Sequence, residues 1–279
     1  MSSLLHVRAR VPLQVQGTTA PGRKIVMNLL LLPDKCTSVD LSQDDPRFTH
    51  LTEVLRVAHN DEIDVGVING PRGKGIVSML PCGGIRLDLS WRDGNDLAVL
   101  PVELLIGLPR PQAARRILRE MTCLGVRRIC FFRSDKGEST YRDSRLWQTA
   151  EWERQCREGA EQSFHTYVPE VFHFESLAAC LDSLQRDIRL ALDIYESTDS
   201  LDRAVRKSRR LPDNGVISLA VGSERGWGEQ ERHILRDSRF TLVHLGPRVM
   251  RTETAAIAAV SIVASLTGCL DKPFDRLAD

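Results

Sequence analysis

Residues 216–228 read VISLAVGSERGWG, and residues 240–255 read FTLVHLGPRVMRTETA. Each opens as a short apolar strand and breaks at glycine: Gly222, Gly226 and Gly228 in the first stretch, Gly246 followed by Pro247 in the second. A strand that runs through a glycine loop into a helix is the repeating unit of a parallel α/β sheet. Ligands in such sheets bind beyond the carboxyl ends of the strands. Glycine at that place lets the backbone approach a ligand and leaves N–H groups to bond it. In the second stretch Arg248 and Arg251 flank the apolar pair Val249-Met250. Glu253 falls in the first turn of an expected helix from Thr252 to Leu266, where the helix dipole favours a carboxylate. Either loop alone reads equally well as a tight turn with solvated charges, but two after consecutive strands point to a ligand site.

The same rhythm extends outward on the N-terminal side. From Val102 the chain reads as strand VELLIGL, helix Pro111–Leu124, strand VRRICFF, helix Arg145–Ser163, strand EVFHF, helix Glu175–Gln185 and strand IRLALDIY. Another helix, Gly228–Arg236, separates the two glycine-loop strands. From Arg8 to about Trp91 the pattern is different. KIVMNLLLL, DEIDVGVI, GKGIVSML and GIRLDLSW are short β segments punctuated by NGPRGKG and PCGG, with one helical insert near Asp45–Ala58. The stretch WRDGNDLAVLP is polar and turn-rich, so two domains are expected, 1–92 and 93–279.

Composition agrees with this reading. A chain of 279 residues that is 42% hydrophobic and 27% charged is globular rather than disordered or fibrous. No apolar run reaches the roughly 18 residues of a membrane span, and the opening MSSLLHVRARV lacks the apolar core of a signal peptide. A soluble, cytoplasmic chain with no membrane partner is expected. Seven scattered cysteines without a C-x-x-C pair argue against a disulfide framework and a zinc ribbon, so no metal is expected. The dinucleotide fingerprint G-x-G-x-x-G, the P-loop, H-E-x-x-H and G-x-S-x-G are all missing, which removes the common nucleotide-binding and hydrolase readings.

The formal net charge is only +1. It conceals a run from Arg110 to Lys136 with eight basic and two acidic residues, a local net of +6. Arg110, Arg115, Arg116 and Lys136 in this run are candidate phosphate contacts, and Arg8, Arg10, Arg23, Lys24, Arg72 and Lys74 add a second, weaker basic set in the β region.

At this level of detail the chain resembles a known family, the 16S ribosomal RNA uridine-N3 methyltransferases, which are the small subunit methyltransferase E group of the SPOUT superfamily. Leu245 through Ala255 resembles the family's Leu-Gly-x-Arg-Ile-Leu-Arg-x-Glu-Thr-Ala loop nearly residue for residue. Gly222 to Trp227 is similar to its Gly-Pro-Glu-Gly-Gly-aromatic loop. His50-Leu51, Val54-Leu55-Arg56 and Asp61-Glu62-Ile63 resemble its N-terminal domain, and Leu124-Gly125-Val126, Ser134-Asp135-Lys136, Glu161-Gln162-Ser163 and Val168-Pro169 resemble its inner segments. Ser223 stands in place of a proline, Arg225 of a glycine, His165 and Lys136 of arginines, and Cys123 of a glutamate.

The resemblance implies an N-terminal PUA-like β-barrel that binds RNA and a C-terminal α/β SPOUT domain whose chain is threaded into a deep trefoil knot. It further implies S-adenosylmethionine as cofactor, a homodimer, and 16S rRNA or the small ribosomal subunit as partner. Leu219, Gly222, Gly226, Leu245, Gly246, Val249 and Met250 would then bind the cofactor. Arg248, Arg251, Glu253 and Glu224 would be the catalytic candidates, the arginines steadying negative charge and a glutamate accepting a proton. The alternatives are a methyltransferase of the same fold acting on a different RNA nucleotide, and an RNA- or ribosome-binding assembly factor with weak or lost transfer.

Overall fold

The computed structural model of the protein describes residues 29–81, 83–94, 97–184, 187–208 and 215–271. Its first elements are β1 (Leu29–Leu32), β2 (Ser38–Leu41), α1 (Pro46–Thr49), a π-helical turn (His50–Leu55), β3 (Glu62–Val67), β4 (Arg72–Met79) and β5 (Ile85–Trp91). Then come β6 (Leu100–Gly107), α2 (Pro111–Cys123), β7 (Val126–Phe132), a 3-10 turn (Ser139–Asp143), α3 (Arg145–Gln148), α4 (Glu151–Gln162), β8 (Glu170–Phe174) and α5 (Leu177–Asp182). The last are β9 (Ile188–Leu192), β10 (Asp199–Ser200), α6 (Leu201–Lys207), β11 (Ile217–Val221), α7 (Glu229–Asp237), β12 (Thr241–His244) and α8 (Thr252–Leu266). Residues 36–64, 74–81 and 83–90 form one compact unit; 29–35, 65–73 and the described residues from 91 onward form the other.

The first five strands pair in the order β1-β3-β4-β5-β2. In the smaller unit β2 is antiparallel to β5, with Asp40 opposite Arg86. Period-2 alternation buries Leu41, Ile85 and Leu87 and leaves Arg86 outside, where its guanidinium forks onto Asp40 with two 2.7 Å hydrogen bonds. That partner holds the Asp40 carboxyl below its usual range.

The larger unit is built on seven strands in the order β10-β12-β9-β11-β6-β7-β8, each adjoining pair parallel. Alternation along each strand assigns side chains to two apolar layers. Leu104, Ile106, Ile129, Phe131, Leu219 and Val243 face a core closed by α2, α4, α6 and α8. Leu105, Cys130, Phe132, Ala191 and Leu242 face a second core closed by α5 and α7. Parallel strands covered on both faces read as nearly continuous apolar runs, which is why VISLAV and VRRICFF look as they do. Helix α2 begins with Pro111, whose missing N–H costs nothing at that position, and is closed by Gly125 at φ +73. The segments 29–35 and 65–73 join this unit through specific contacts. Leu29 and Leu31 pack on Ala160, the Leu31 N–H donates to Glu161 Oε1 at 3.3 Å, and Thr166 Oγ1 donates to the Gly70 carbonyl at 2.7 Å.

Several expectations are corrected. The expected helix Arg145–Ser163 is two helices, because Thr149 is extended and its Oγ1 accepts from the Glu151 N–H at 3.3 Å, starting α4 afresh. The expected helix Glu175–Gln185 starts at Leu177, since Ser176 is its N-cap with Oγ accepting from Ala179 at 3.2 Å. Gln185 lies outside the described residues. Helix α6 is additional; its signals are the Ser200 cap, Asp202 in the first turn and Arg206-Lys207 in the last. Strands β2 and β10 are also additional.

On β8, His173 stacks on Phe131 at 5.5 Å between centroids and meets the edge of Trp147 at 4.3 Å. Burial, and then the Arg142 charge, push its pKa down from 6.5 to about 4. The unfolded chain therefore binds the extra proton first. Stability from this group is whole above pH 6.5 and is lost as pH falls toward 4. Between pH 7.5 and pH 5 the loss is about 1–2 kcal/mol, discounted for partial exposure. Urea unfolding of wild type and His173→Phe at the two pH values measures it, and an equal drop in both proteins excludes His173 as the source.

Candidate functional site

Strand register creates the site. β9 lies between β11 and β12 and pairs Leu192 with both Val221 and Val243. The loops that leave these three strand ends therefore start from one level. With the first turn of α8 they line a cleft of ≈720 Å³, counted out into its open mouth.

The loop after β11 is a tight turn. The Gly226 N–H donates to the Ser223 carbonyl at 2.8 Å, Ser223 Oγ donates to the Gly226 carbonyl at 3.2 Å, and Gly226 sits at φ +71. Trp227 anchors it: the side chain is 1% exposed, stacks on Phe132 at 5.9 Å, and donates from Nε1 to the Leu192 carbonyl at 2.7 Å. Glu231 Oε2 accepts from the Gly228 N–H at 2.7 Å and Oε1 from the Asp135 N–H at 3.2 Å, tying the turn to the loop after β7. The loop after β12 turns at Gly246, φ +100, whose N–H donates to His244 Nδ1 at 3.1 Å. The loop after β9 is held by Asp193. Its Oδ1 accepts from the Tyr195 and Glu196 N–H groups at 2.6 and 3.0 Å, and its Oδ2 from Arg232 Nε at 2.6 Å.

Of the expected cofactor residues, Gly222, Gly226, Leu245, Gly246, Val249 and Met250 line this cleft. Leu219 does not; it is fully buried in the middle of β11, opposite Leu104 and Leu190. Among the expected catalytic residues, Arg248 and Glu224 line the cleft, and Glu224 Oε1 also accepts from the Arg110 N–H at 2.9 Å. Arg251 is exposed at the N-cap of α8 and Glu253 is buried in that helix's first turn; neither lines the cleft.

The basic run does not form one patch. Arg115 forks onto Glu151, with Nε to Oε1 at 2.6 Å, while Arg128 lies 3.6 Å from Glu103 and over the Phe172 ring. Arg116 is exposed on α2, and Arg110 and Lys136 line a shallow groove with Glu224 and Arg225. Arg8, Arg10, Arg23 and Lys24 lie outside the described residues. Lys74 is engaged by Asp64 at 3.0 Å.

The residues that sequence reasoning missed are Asp193 and Arg232. The expected strand IRLALDIY ends early, at Leu192, which puts Asp193, Ile194 and Tyr195 in the loop; the acidic residue directly after the apolar run IRLAL was the only available signal. No group of three or more His, Cys, Asp or Glu residues fit for a metal is found among the described residues. No helix among them is long and apolar enough to cross a membrane.

Residues 96–264 match the family model of the RNA methyltransferase domain, a span that contains the whole cleft. The chain belongs to the RNA methyltransferase family. Within that family it is 32% identical over 231 residues to the ribosomal RNA small subunit methyltransferase E of Treponema pallidum, covering 80% of this chain and 84% of that one. It is 28% identical over 244 residues to ribosomal RNA small subunit methyltransferase E 1 of Borreliella burgdorferi, covering 86% and 98%. The crystal structure of the ribosomal RNA small subunit methyltransferase E of Neisseria gonorrhoeae, bound to S-adenosyl methionine, superposes with a TM-score of 0.72 at 25% identity over 86% of this chain and 98% of that chain. A methyltransferase structure from Legionella pneumophila shares the fold, with a TM-score of 0.73 at 19% identity over 86% of this chain and 98% of that one.

Proposed function

We propose that this chain transfers the methyl group of S-adenosylmethionine to N3 of a specific uridine in the 16S rRNA of the small ribosomal subunit. The observation that carries the reading is the cleft at the β9, β11 and β12 strand ends, inside the matched methyltransferase region. The lining suits that cofactor. Gly222 lets the turn close tightly, since a Cβ there would stand 3.1 Å from Gly226 and 3.3 Å from the Trp227 ring, while at Gly226 and Gly246 a Cβ would meet nothing within 4 Å, so bare backbone borders open space. Leu245, Val249, Met250 and Trp227 supply apolar walls. Leu219 supports this wall from the core. As finer features of the same reading, the segment 93–279 is a SPOUT domain with a deep trefoil knot and 1–92 a PUA-like RNA-binding barrel. The protein works in the cytoplasm as a homodimer. Supporting the dimer, Ile194, Tyr195 and Val249 at the cleft mouth are 54%, 76% and 77% exposed, a large apolar surface for a monomer.

When bound, the cofactor supplies an electrophilic methyl group on a sulfonium that is already a good leaving group. The chain's part is to hold the uracil ring in line, exclude water and stabilise the imide as its N3 proton departs. Arg248, on the cleft wall, stabilises the negative charge spread over N3 and its flanking carbonyl oxygens. Glu224, at the rim, is the better placed of the two glutamates to take the N3 proton, while Arg251 and Glu253 orient the start of α8. Arg110, Arg116 and Lys136 attract the phosphate backbone, with Arg8, Arg10, Arg23 and Lys24 adding to it; Arg115 contributes only through its paired charge.

Isothermal titration with S-adenosylmethionine and digestion of a methylated 16S transcript to nucleosides test this. Arg248→Ala is expected to lower the rate of transfer about a hundredfold while cofactor affinity stays within about threefold. Full transfer by Arg248→Ala at saturating RNA removes that residue's role. A methylated nucleoside other than 3-methyluridine replaces the uridine-N3 reading by a different target.

A further inference from the structure

A second cavity of ≈760 Å³, counted to its mouth, opens at the carboxyl ends of β7 and β8. None of its lining residues belongs to the cofactor cleft. We propose that it is a nucleobase pocket that receives the base adjacent to the methylated one, a proposal that rests on the RNA methyltransferase reading above. Three observations carry it.

The first is an unanswered polar group. Ser134, 5% exposed, lines the cavity, and its Oγ is buried without a hydrogen-bond partner among the described residues. A buried hydroxyl in that state is costly, and turning about the Ser134 Cα–Cβ bond toward the cavity would let a ligand atom satisfy it.

The second is the character of the walls. His173 and Phe174, both partly exposed, supply aromatic wall, and the wholly buried Phe131 ring backs His173 with 20° between their planes. Burial keeps His173 neutral at physiological pH, so its ring has one nitrogen to donate and one to accept. The carboxylates at the rim are answered: Glu175 by Arg142 and Glu138 by Arg225 at 3.1 Å. Arg133 and Asp143 oppose one another in sign. Aromatic walls, a neutral imidazole and a free hydroxyl without net positive charge suit an uncharged planar heterocycle better than a phosphate. Single-stranded RNA is recognised in this way, by splaying bases onto aromatic rings and bonding their edges.

The third is continuity. The groove lined by Arg110 and Lys136 shares Glu224 with the cofactor cleft and Gly137 and Glu138 with the cavity. Beneath it, Gly107 ends β6. A Cβ there would stand 2.7 Å from the Ser223 nitrogen and 3.2 Å from the Ser134 Cβ, so the loops after β11 and β7 meet over one strand end. A strand of RNA placing one base in the cleft would lay its next phosphate over Arg110 and Lys136 and its next base in the cavity.

The test is a coupling experiment on the full chain. Wild type and Ser134→Ala are assayed for methyl transfer on a 16S transcript and on transcripts made abasic at the 5′ or the 3′ neighbour of the mapped methylation site. For Ser134→Ala the expected result is an unchanged or higher melting temperature, unchanged cofactor affinity and kcat, and a KM for intact RNA raised about tenfold. One of the two abasic transcripts raises the wild-type KM by a similar factor and raises that of Ser134→Ala no further. Additive effects, or an unchanged KM in Ser134→Ala, overturn the pocket while leaving the methyltransferase reading in place. Wild type that binds the cofactor but methylates no 16S transcript overturns the 16S target and with it the pocket.

Discussion

Asp193→Ala is expected to destabilise the protein by about 3 kcal/mol and to abolish measurable cofactor binding at the cleft. The Asp193 side chain is 1% exposed and that of Arg232 12%. Removing the carboxylate leaves a guanidinium buried with only Glu196 at 3.6 Å and the Tyr195 ring at 5.6 Å as partial compensation. Breaking a buried pair from one side costs roughly 3–5 kcal/mol, and the residual partners place this site at the lower end. The same deletion frees the Tyr195 and Glu196 N–H groups, so the β9 loop loses what fixes it against the cleft. Asp193→Asn keeps an acceptor for both backbone groups and is expected to lose about half as much. Asp193→Ala combined with Arg232→Met removes both charges and should recover part of the stability but not the cofactor affinity. Denaturant titration and isothermal titration read the two effects. Stability of Asp193→Ala within about 1 kcal/mol of wild type would sink the argument.

Gly159→Ala is expected to destabilise by about 3 kcal/mol, opposite in sign to the gain of up to about 1 kcal/mol that Ala brings over Gly in an open helix. Gly159 lies where α4 crosses α2. A Cβ there would stand 2.4 Å from the Arg119 carbonyl oxygen and 3.0 Å from the Thr122 Cβ. The first neighbour is backbone and cannot swing aside. Close approach is also what brings Cys123 Sγ within 3.1 Å of the Gly159 carbonyl. Forcing the helices apart disturbs the core around Met121 and Cys156 and the seat of β1 on Ala160. Thermal unfolding of the variant measures the cost, and a melting temperature at or above that of wild type would show that α2 and α4 tolerate the extra methyl group.

Much of the larger unit was legible in advance, for local reasons. VRRICFF and EVFHF are β7 and β8 to the residue, and α8 runs from Thr252 to Leu266 as its small-residue composition predicts. Apolar runs bounded by glycine and proline leave few alternatives. Helix limits failed where a side chain competed with the backbone, at Thr149 and Ser176, because one hydroxyl bond decides between continuing and capping. The basic run from Arg110 to Lys136 failed as a unit for a geometric reason. Its residues sit on a helix, a strand and two loops, and neighbours in sequence face Glu151, Glu103 or solvent.

The chain of amino acids by itself determined most element types of the larger unit, the two covered faces of the parallel sheet, and the two glycine loops that carry the family resemblance. All of these follow from periodicity and backbone freedom within about fifteen residues. Only the tertiary structure decided that β9 lies between β11 and β12. That order sets Leu192, Val221 and Val243 in one row, adds Asp193 and Arg232 to the cleft, and leaves Leu219 in the core. Strand order depends on pairings between segments more than twenty residues apart, whose energies come from a shared core rather than from any local pattern. The same long-range packing brought Ser134 and His173 to one cavity.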